Sequence, residues 1–153
     1  FVATERACAG NPASAHGSGR AARGALEDAR QRIARVFAVD AADVVFTSGG
    51  TEAANLAVLG LGEAQLPVAI APVEHPAVWE PAQSRGVVPW DVDGDGVTHI
   101  IQPRQEVGLV CLVHAQSELG TLQPVAAAAA LAKSLRVPCF VDAAQSRSEE
   151  HTS

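Results

Sequence analysis

The sequence lacks features that would place it in several large classes of protein. It has no stretch of about 18 apolar residues and no basic-then-apolar segment at its start, so neither a transmembrane helix nor a signal peptide is expected. Its 3 cysteines form no CxxC pair, which gives no support to a metal site or a disulfide framework and favours a reducing cytoplasm. Because 11 Lys+Arg face 17 Asp+Glu, no general attraction to nucleic acid or anionic membranes is expected.

Methionine is also absent, even from position 1 of the 153 residues. A chain that begins with Phe1 is therefore expected to be an internal piece of a longer protein. With 48% apolar and 18% charged residues, the composition is that of one globular domain or part of one. Residues 147–153 contain no apolar side chain and resemble the translation of a sequencing adaptor, so we expect them to be a non-native tail.

The pattern of apolar residues predicts alternating helices and strands. Helices are predicted over residues 18–39, 51–61, 76–85 and 125–136. Strands are predicted over residues 43–47, 67–72, 87–92, 107–114 and 137–142. The run at 107–114 is continuously apolar, which is typical of a strand covered on both faces. This alternation predicts an α/β domain with a mainly parallel sheet flanked by helices.

Four polar segments follow predicted strands, at residues 48–52, 74–75, 116–121 and 142–145. Since ligands bind at the carboxyl ends of parallel strands, the site is expected at this edge of the sheet. The first segment leads from a strand through Ser48-Gly-Gly-Thr51 into a helix, and it can offer backbone N–H groups and a hydroxyl to a phosphate. It lacks the lysine of a Walker loop and the GxGxxG spacing, and a simple helix cap by Ser48 is an equally good interpretation.

Two titratable residues are candidates at this edge. His75 lies between a strand and a helix, where it could stack on a ring and move protons near neutral pH, or only cap the helix. Asp142 ends the last strand beside small residues that leave room for a flat ligand; it could keep a ring nitrogen protonated, or cap a helix. His114 is expected to be a core or rim residue, and His16 and His99 are expected to lie in polar loops.

Five motifs, in this order and spacing, resemble the class V aminotransferase fold family. They are GNPASAH at 10–16, TSGGTE at 47–52, EH at 74–75, HAQSELGT with QP over 114–124, and VDAAQS at 141–146. The first of them is similar to the cysteine desulfurases within that family. The resemblance covers residues 10–146 and implies that residues 1–146 are part of the large α/β domain of a fold-type I enzyme that uses pyridoxal phosphate.

The resemblance also implies an activity and a role for individual residues. Cysteine desulfurases convert L-cysteine to L-alanine and pass the sulfur on as an enzyme persulfide. Gly50 and Thr51 would bind the cofactor phosphate, and His75 would stack on the pyridine ring and assist proton transfer. Asp142 would pair with the pyridinium nitrogen, which maintains the ring as an electron sink, and Gln145 would bind the 3-oxygen of the ring.

One position departs from the family pattern. Gln116-Ser117 stands where the family usually has Asn-Asn. Ser117 takes the place of the asparagine that contacts the 3-oxygen of the cofactor, so this contact is expected to be weaker or to run through water. Gln116 is expected to compensate.

In the family, the lysine that binds the cofactor and the cysteine that accepts sulfur both lie downstream of the aspartate motif. The single lysine here, Lys133, is expected on the solvated face of a helix, and Cys8, Cys111 and Cys139 are not assigned the sulfur-accepting role. Cys111 and Cys139 are expected to be small core residues. The parent protein is therefore expected to be the enzyme, and this piece by itself to be inactive.

The resemblance further implies a homodimer and a sulfur-acceptor protein, such as an iron–sulfur scaffold. Three alternatives remain open. The parent could be another member of the fold class, namely a selenocysteine lyase, a kynureninase or a small-substrate aminotransferase. It could be a non-catalytic module that binds anions at residues 48–51. It could contain a nucleotide-binding domain, although no residue pattern indicates a purine or ribose site.

Overall fold

The structure, a computed structural model, describes residues 10–146. Cys8 and the expected tail at 147–153 lie outside the described residues. The chain divides into two compact units, one that ends at Phe46 and one that begins at Thr47.

The first unit contains one long helix, α1 (Gly17–Phe37), which confirms the predicted amphipathic helix. His16 caps it, since its Nδ1 accepts a hydrogen bond from the N–H of Gly19 at 3.2 Å. The helix ends at Ala38, which has a left-handed backbone conformation with φ 52°. His16 is thus a capping residue rather than an unpartnered loop residue.

The strand predicted over residues 43–47 is wrong. Ala41–Asp43 forms a short 3-10 helix, and the backbone that follows it joins no strand ladder of the described chain. The side chain of Val45 is 71% exposed. Arg30 donates a hydrogen bond to the carbonyl oxygen of Val44 and lies over the ring of Phe46 at 4.9 Å. This segment is therefore held by a side chain of α1 and not by the backbone hydrogen bonds that a strand requires.

The second unit is a parallel sheet with helices on both faces. Its strands, within residues 47–146, are β1 (Val68–Ile70), β2 (Val87–Pro89), β3 (Leu109–Val113) and β4 (Cys139–Asp142). They pair in the order β2-β1-β3-β4, and each pair is parallel. The helices are α2 (Gly50–Gly60), α3 (Pro76–Arg85) and α4 (Val125–Leu135). This confirms the predicted α/β class.

The sheet separates two buried clusters. On one face, α2 and α3 pack on the sheet through Ala54, Val58, Val78 and Ala82, against Val68, Ile70, Leu109 and Cys111. On the other face, α4 packs through Ala128 and Ala132 against Ala69, Val110 and Leu112. Every residue of β3 is buried, as its continuous apolar sequence predicts. The central strands β1 and β3 therefore form a rigid base for the loops at their carboxyl ends.

Candidate functional site

A single cleft collects the residues predicted for the site. The loops after β1, β3 and β4 and the first turn of α2 enclose a volume of about 460 Å³. Sites for small molecules have volumes of roughly 300–1,000 Å³. The cleft is lined by all six predicted site residues: Gly50, Thr51, His75, Ser117, Asp142 and Gln145. Their roles remain predictions, but four separate segments of the sequence meet where parallel strands end, as expected.

The first turn of α2 is open to the cleft. Gly49 is the N-cap residue, and among the described residues no side chain caps the helix, so the alternative of a cap by Ser48 is wrong. The N–H of Ser48 instead donates to Oε2 of Glu52 at 2.6 Å, and this hydrogen bond holds the pKa of the Glu52 carboxyl below its usual value. A Cβ added to Gly50 would meet no described atom within 4 Å. Backbone N–H groups and open space suit an anion here.

His75 both caps a helix and lines the cleft. Its Nδ1 accepts a hydrogen bond from the N–H of Ala77 at 3.1 Å, and Pro76 occupies the first position of α3. The two interpretations of the sequence are therefore compatible. With Nδ1 as the acceptor, the neutral imidazole carries its proton on Nε2. That nitrogen is the one available to exchange a proton with a ligand.

Asp142 is the last residue of β4 and pairs with Val113 of β3. Its Oδ1 accepts a hydrogen bond from the N–H of Ala144 at 3.0 Å, so it caps a turn and not a helix. No described residue donates a hydrogen bond to the other oxygen, Oδ2. The turn is held against β3, because Nδ1 of His114 and Oγ of Ser146 lie 2.7 Å apart. His114 is thus a rim residue, as expected.

The loop that carries Ser117 is organised by its neighbour. Oε1 of Gln116 accepts hydrogen bonds from the N–H groups of Glu118 and Leu119 at 2.7 and 2.6 Å. The oxygen of Gln116 is therefore used to shape the loop. With Oε1 used in this way, any contact between Gln116 and the 3-oxygen of the cofactor would have to come from its amide nitrogen.

Sequence reasoning assigned no role to Glu74, which the structure places on the wall of the cleft. Its side chain is buried, and Oε1 accepts a hydrogen bond from the N–H of Val113 at 2.5 Å. Burial raises the pKa of this carboxyl to about 8; the bond from Val113 opposes the rise and the charge of Asp142 adds to it. The sequence did contain a signal for Glu74, since it is an acidic residue shortly after the buried strand β1 and next to His75, the N-cap of α3.

The other reactive side chains are placed as expected. Cys111 is buried in β3 and Cys139 is partly buried in β4, and both are free thiols. Burial raises the pKa of both, which keeps them unreactive. Lys133 is exposed on α4.

Residues 10–146 contain no group of three or more His, Cys, Asp or Glu side chains that could hold a metal ion. No helix in that range has the length and apolar character needed to cross a membrane.

Several known proteins are similar to this chain in sequence and in fold. The cysteine desulfurase IscS of Dictyoglomus turgidum is 34% identical over 151 residues, which cover 89% of this chain and 38% of that protein. The solved structure of a NifS-like protein matches 95% of this chain and 44% of its own, with 31% identity and a TM-score of 0.80. The structure of SspA in complex with cysteine matches 94% of this chain and 45% of its own, with 28% identity and a TM-score of 0.80.

The chain spans about two fifths of the length of the curated relatives it matches. The family model of the class-V aminotransferases matches residues 4–152. That match extends over both units of the structure and includes each of the five motifs. The chain therefore belongs to the class-V aminotransferase family.

Proposed function

We propose that this chain is part of a pyridoxal-phosphate-dependent cysteine desulfurase. The enzyme would take L-cysteine and a thiol of its own, and release L-alanine while the thiol becomes a persulfide. The C–S bond of cysteine and the S–H bond of the enzyme thiol break, and a C–H bond and an S–S bond form. Atoms and electrons balance without an external oxidant or reductant.

One observation carries this proposal. Gly50, Thr51, His75, Asp142 and Gln145, which the motifs select from three distant segments, line the same cleft. Each segment alone has an ordinary structural interpretation, such as a helix cap or a turn. Their convergence at the carboxyl ends of β1, β3 and β4 is what a ligand site requires and what separate caps do not.

The two ends of the cleft fit the two ends of pyridoxal phosphate. The uncapped first turn of α2, with Gly50 and Thr51, suits the phosphate dianion because its N–H groups and the helix dipole favour negative charge. Asp142 suits a protonated pyridine nitrogen because its Oδ2 is not used by the turn that Oδ1 caps. We assign Gln145 and Ser117 to the 3-oxygen of the ring.

The bound cofactor supplies an electron-accepting ring that stabilises negative charge on the substrate carbon. The chain supplies the rest. Asp142 keeps the ring nitrogen protonated through its negative charge. His75, held by its bond to the N–H of Ala77, presents Nε2 for proton transfer and its ring for stacking. Val113, the buried last residue of β3, gives the cleft an apolar surface on one side.

The remaining parts of the proposal rest on the relatives. L-cysteine is the substrate, and it is the ligand in the structure of the neighbour SspA. A sulfur-acceptor protein, such as an iron–sulfur scaffold, receives the persulfide sulfur from a cytoplasmic homodimer. Residues 1–146 belong to the large domain in this proposal, and the assignment of residues 147–153 as a non-native tail rests on their sequence, not on the relatives. The lysine and the cysteine that complete the chemistry come from sequence outside this chain.

The test is a product analysis of the full-length protein that carries this sequence. Supplied with pyridoxal phosphate, it should convert L-cysteine to equal amounts of L-alanine and of persulfide sulfur. L-selenocysteine, L-kynurenine and amino-group donors should be tested in parallel. Turnover of one of these and not of L-cysteine would replace the desulfurase with that alternative.

A further inference from the structure

Glu74 connects two of the elements that form the cleft. It is the last residue before His75, the N-cap of α3. Its Oε1 accepts the N–H of Val113, which lies 39 positions further along the chain at the end of β3. Val113 is in turn the sheet neighbour of Asp142. A single carboxyl group therefore ties the loop that carries His75 to the strand end beside Asp142.

The second oxygen of this carboxyl group is unusual. Only 7% of Glu74 is exposed, and Oε2 has no hydrogen-bond partner among the described residues. Oε2 itself has almost no exposed surface, and buried polar atoms are nearly always satisfied. Since Glu74 is one of the residues that line the cleft, its unsatisfied oxygen points to a group that the cleft is built to receive.

We propose that Glu74 is a positioning residue of the cleft, whose Oε1 fastens the loop of His75 to the end of β3 and whose Oε2 contributes a polar group to the bound ligand. This inference rests on the proposed function in so far as the ligand is pyridoxal phosphate. It assigns to Glu74 a task that neither the motifs nor the helix cap requires.

The burial of Glu74 and the charged groups around it favour the neutral form of its carboxyl group. The titratable groups that interact with Glu74 are Asp142 on β4 and the thiol of Cys111 on β3. Burial and the charge of Asp142 both disfavour a second anion, so Glu74 holds its proton at neutral pH. In that form Oε2–H is a donor.

The experiment compares variants of the full-length protein without cofactor. Glu74→Leu removes both oxygens, and Glu74→Gln retains an acceptor and a donor without a charge. Glu80→Gln is the matched control, because Glu80 is exposed on α3. Amide hydrogen exchange is measured at Val113, which donates to Glu74, and at Ala77, which donates to His75. The dissociation constant of pyridoxal 5′-phosphate is measured for each variant.

In Glu74→Leu, exchange at both amides should accelerate about tenfold and the dissociation constant should rise about tenfold, because the bond to Val113 is lost and the loop that carries His75 is no longer fastened to β3. Glu74→Gln should rescue both measurements at pH 7, and the control should match the wild type. Unchanged exchange at Ala77 in Glu74→Leu would overturn the inference. So would a dissociation constant that stays at the wild-type value.

If Glu74→Leu does not fold, the pH dependence of amide hydrogen exchange in the wild type and in Glu74→Gln tests the inference. Between the ordinary glutamate pKa and about 8, the opened loop releases the Glu74 proton more readily than the closed one, so exchange at Val113 should rise more steeply with pH in the wild type than in Glu74→Gln. Identical profiles would overturn the inference. A wild type that shows these exchange effects but binds no pyridoxal phosphate would instead refute the proposed function and leave the positioning of the loop established.

Discussion

At the scale of single residues, Asp142 and Cys111 lie on neighbouring strands and are expected to differ in function. Asp142 ends β4 at the cleft, whereas Cys111 fills space in the middle of β3. In the full-length protein, the proposed function predicts that Asp142→Ala lowers turnover of L-cysteine about 100-fold or more, which is the usual cost of removing one charge-stabilising group. Cys111→Ala should cost about 1–2 kcal/mol of stability through a small cavity and leave turnover nearly unchanged.

Steady-state kinetics with L-cysteine and urea unfolding of both variants check this prediction. Equal losses of turnover in two well-folded variants would contradict the separate roles of the carboxylate and the thiol.

A second prediction concerns the stability of the full-length, cofactor-free protein as a function of pH. The pKa of Glu74 is raised to about 8 in the folded state, so the folded protein binds this proton more tightly than the unfolded chain. The stability that this proton contributes is complete below the ordinary glutamate pKa and is lost as the pH rises to about 8. Within that window, the loss is at most about 1.4 kcal/mol per pH unit.

Urea unfolding at a series of pH values measures this loss. Glu74→Gln should lack this part of the pH dependence, while other titrating groups contribute equally to both proteins. A difference between the two proteins that grows in the opposite direction, or none at all, would show that Glu74 is ionised in the folded state.

The residues of the site were predictable to different degrees. His75 and Asp142 could be placed from the sequence because each lies at the end of an apolar run, and parallel strands end at one edge of the sheet. Glu74 also follows such a run, but its importance depends on burial and on Val113, 39 positions away. Neither pattern nor spacing reports such a distant partner.

At the scale of secondary-structure elements, the local pattern determined the helices well. The bounds of α1, α3 and α4 differ from prediction by two residues or fewer, since helical hydrogen bonds are local. The segment 43–47 has the apolar, β-branched composition of a strand but joins no ladder within the described residues. Composition predicts a preference for strand, whereas a strand exists only if a neighbour pairs with it.

The N-terminus of α2 gives an element-scale prediction. A Cβ added at Gly50 meets no described atom within 4 Å, so we expect Gly50→Val to leave the folded protein intact. The same side chain would occupy the space assigned to the phosphate, and we expect the affinity for pyridoxal 5′-phosphate to fall at least about 100-fold through lost charge-assisted hydrogen bonds.

Gly24→Val is the matched control, because a Cβ at Gly24 also meets no described atom and this residue does not line the cleft. Calorimetric titration with the cofactor and thermal unfolding of both variants separate binding from stability. Wild-type affinity in Gly50→Val would place the phosphate elsewhere.

At the scale of the whole molecule, the chain carries one lysine, and that lysine is exposed on α4 and not among the described residues that line the cleft. When this chain is incubated with pyridoxal phosphate and reduced with borohydride, we expect no stoichiometric labelling of Lys133. Peptide mass spectrometry checks the result, and weak scattered labelling is consistent with it. A single complete modification at Lys133 would mean that this helix forms part of a cofactor site.

The central claim is that the cleft at the ends of β1, β3 and β4 holds pyridoxal phosphate. The most direct measurement is a crystal structure of the full-length protein grown with the cofactor. We predict that the phosphate lies at the first turn of α2 beside Gly50 and Thr51, with the ring nitrogen against Asp142 and the ring against His75. A cofactor bound elsewhere, or bound here with its phosphate away from α2, would contradict the account.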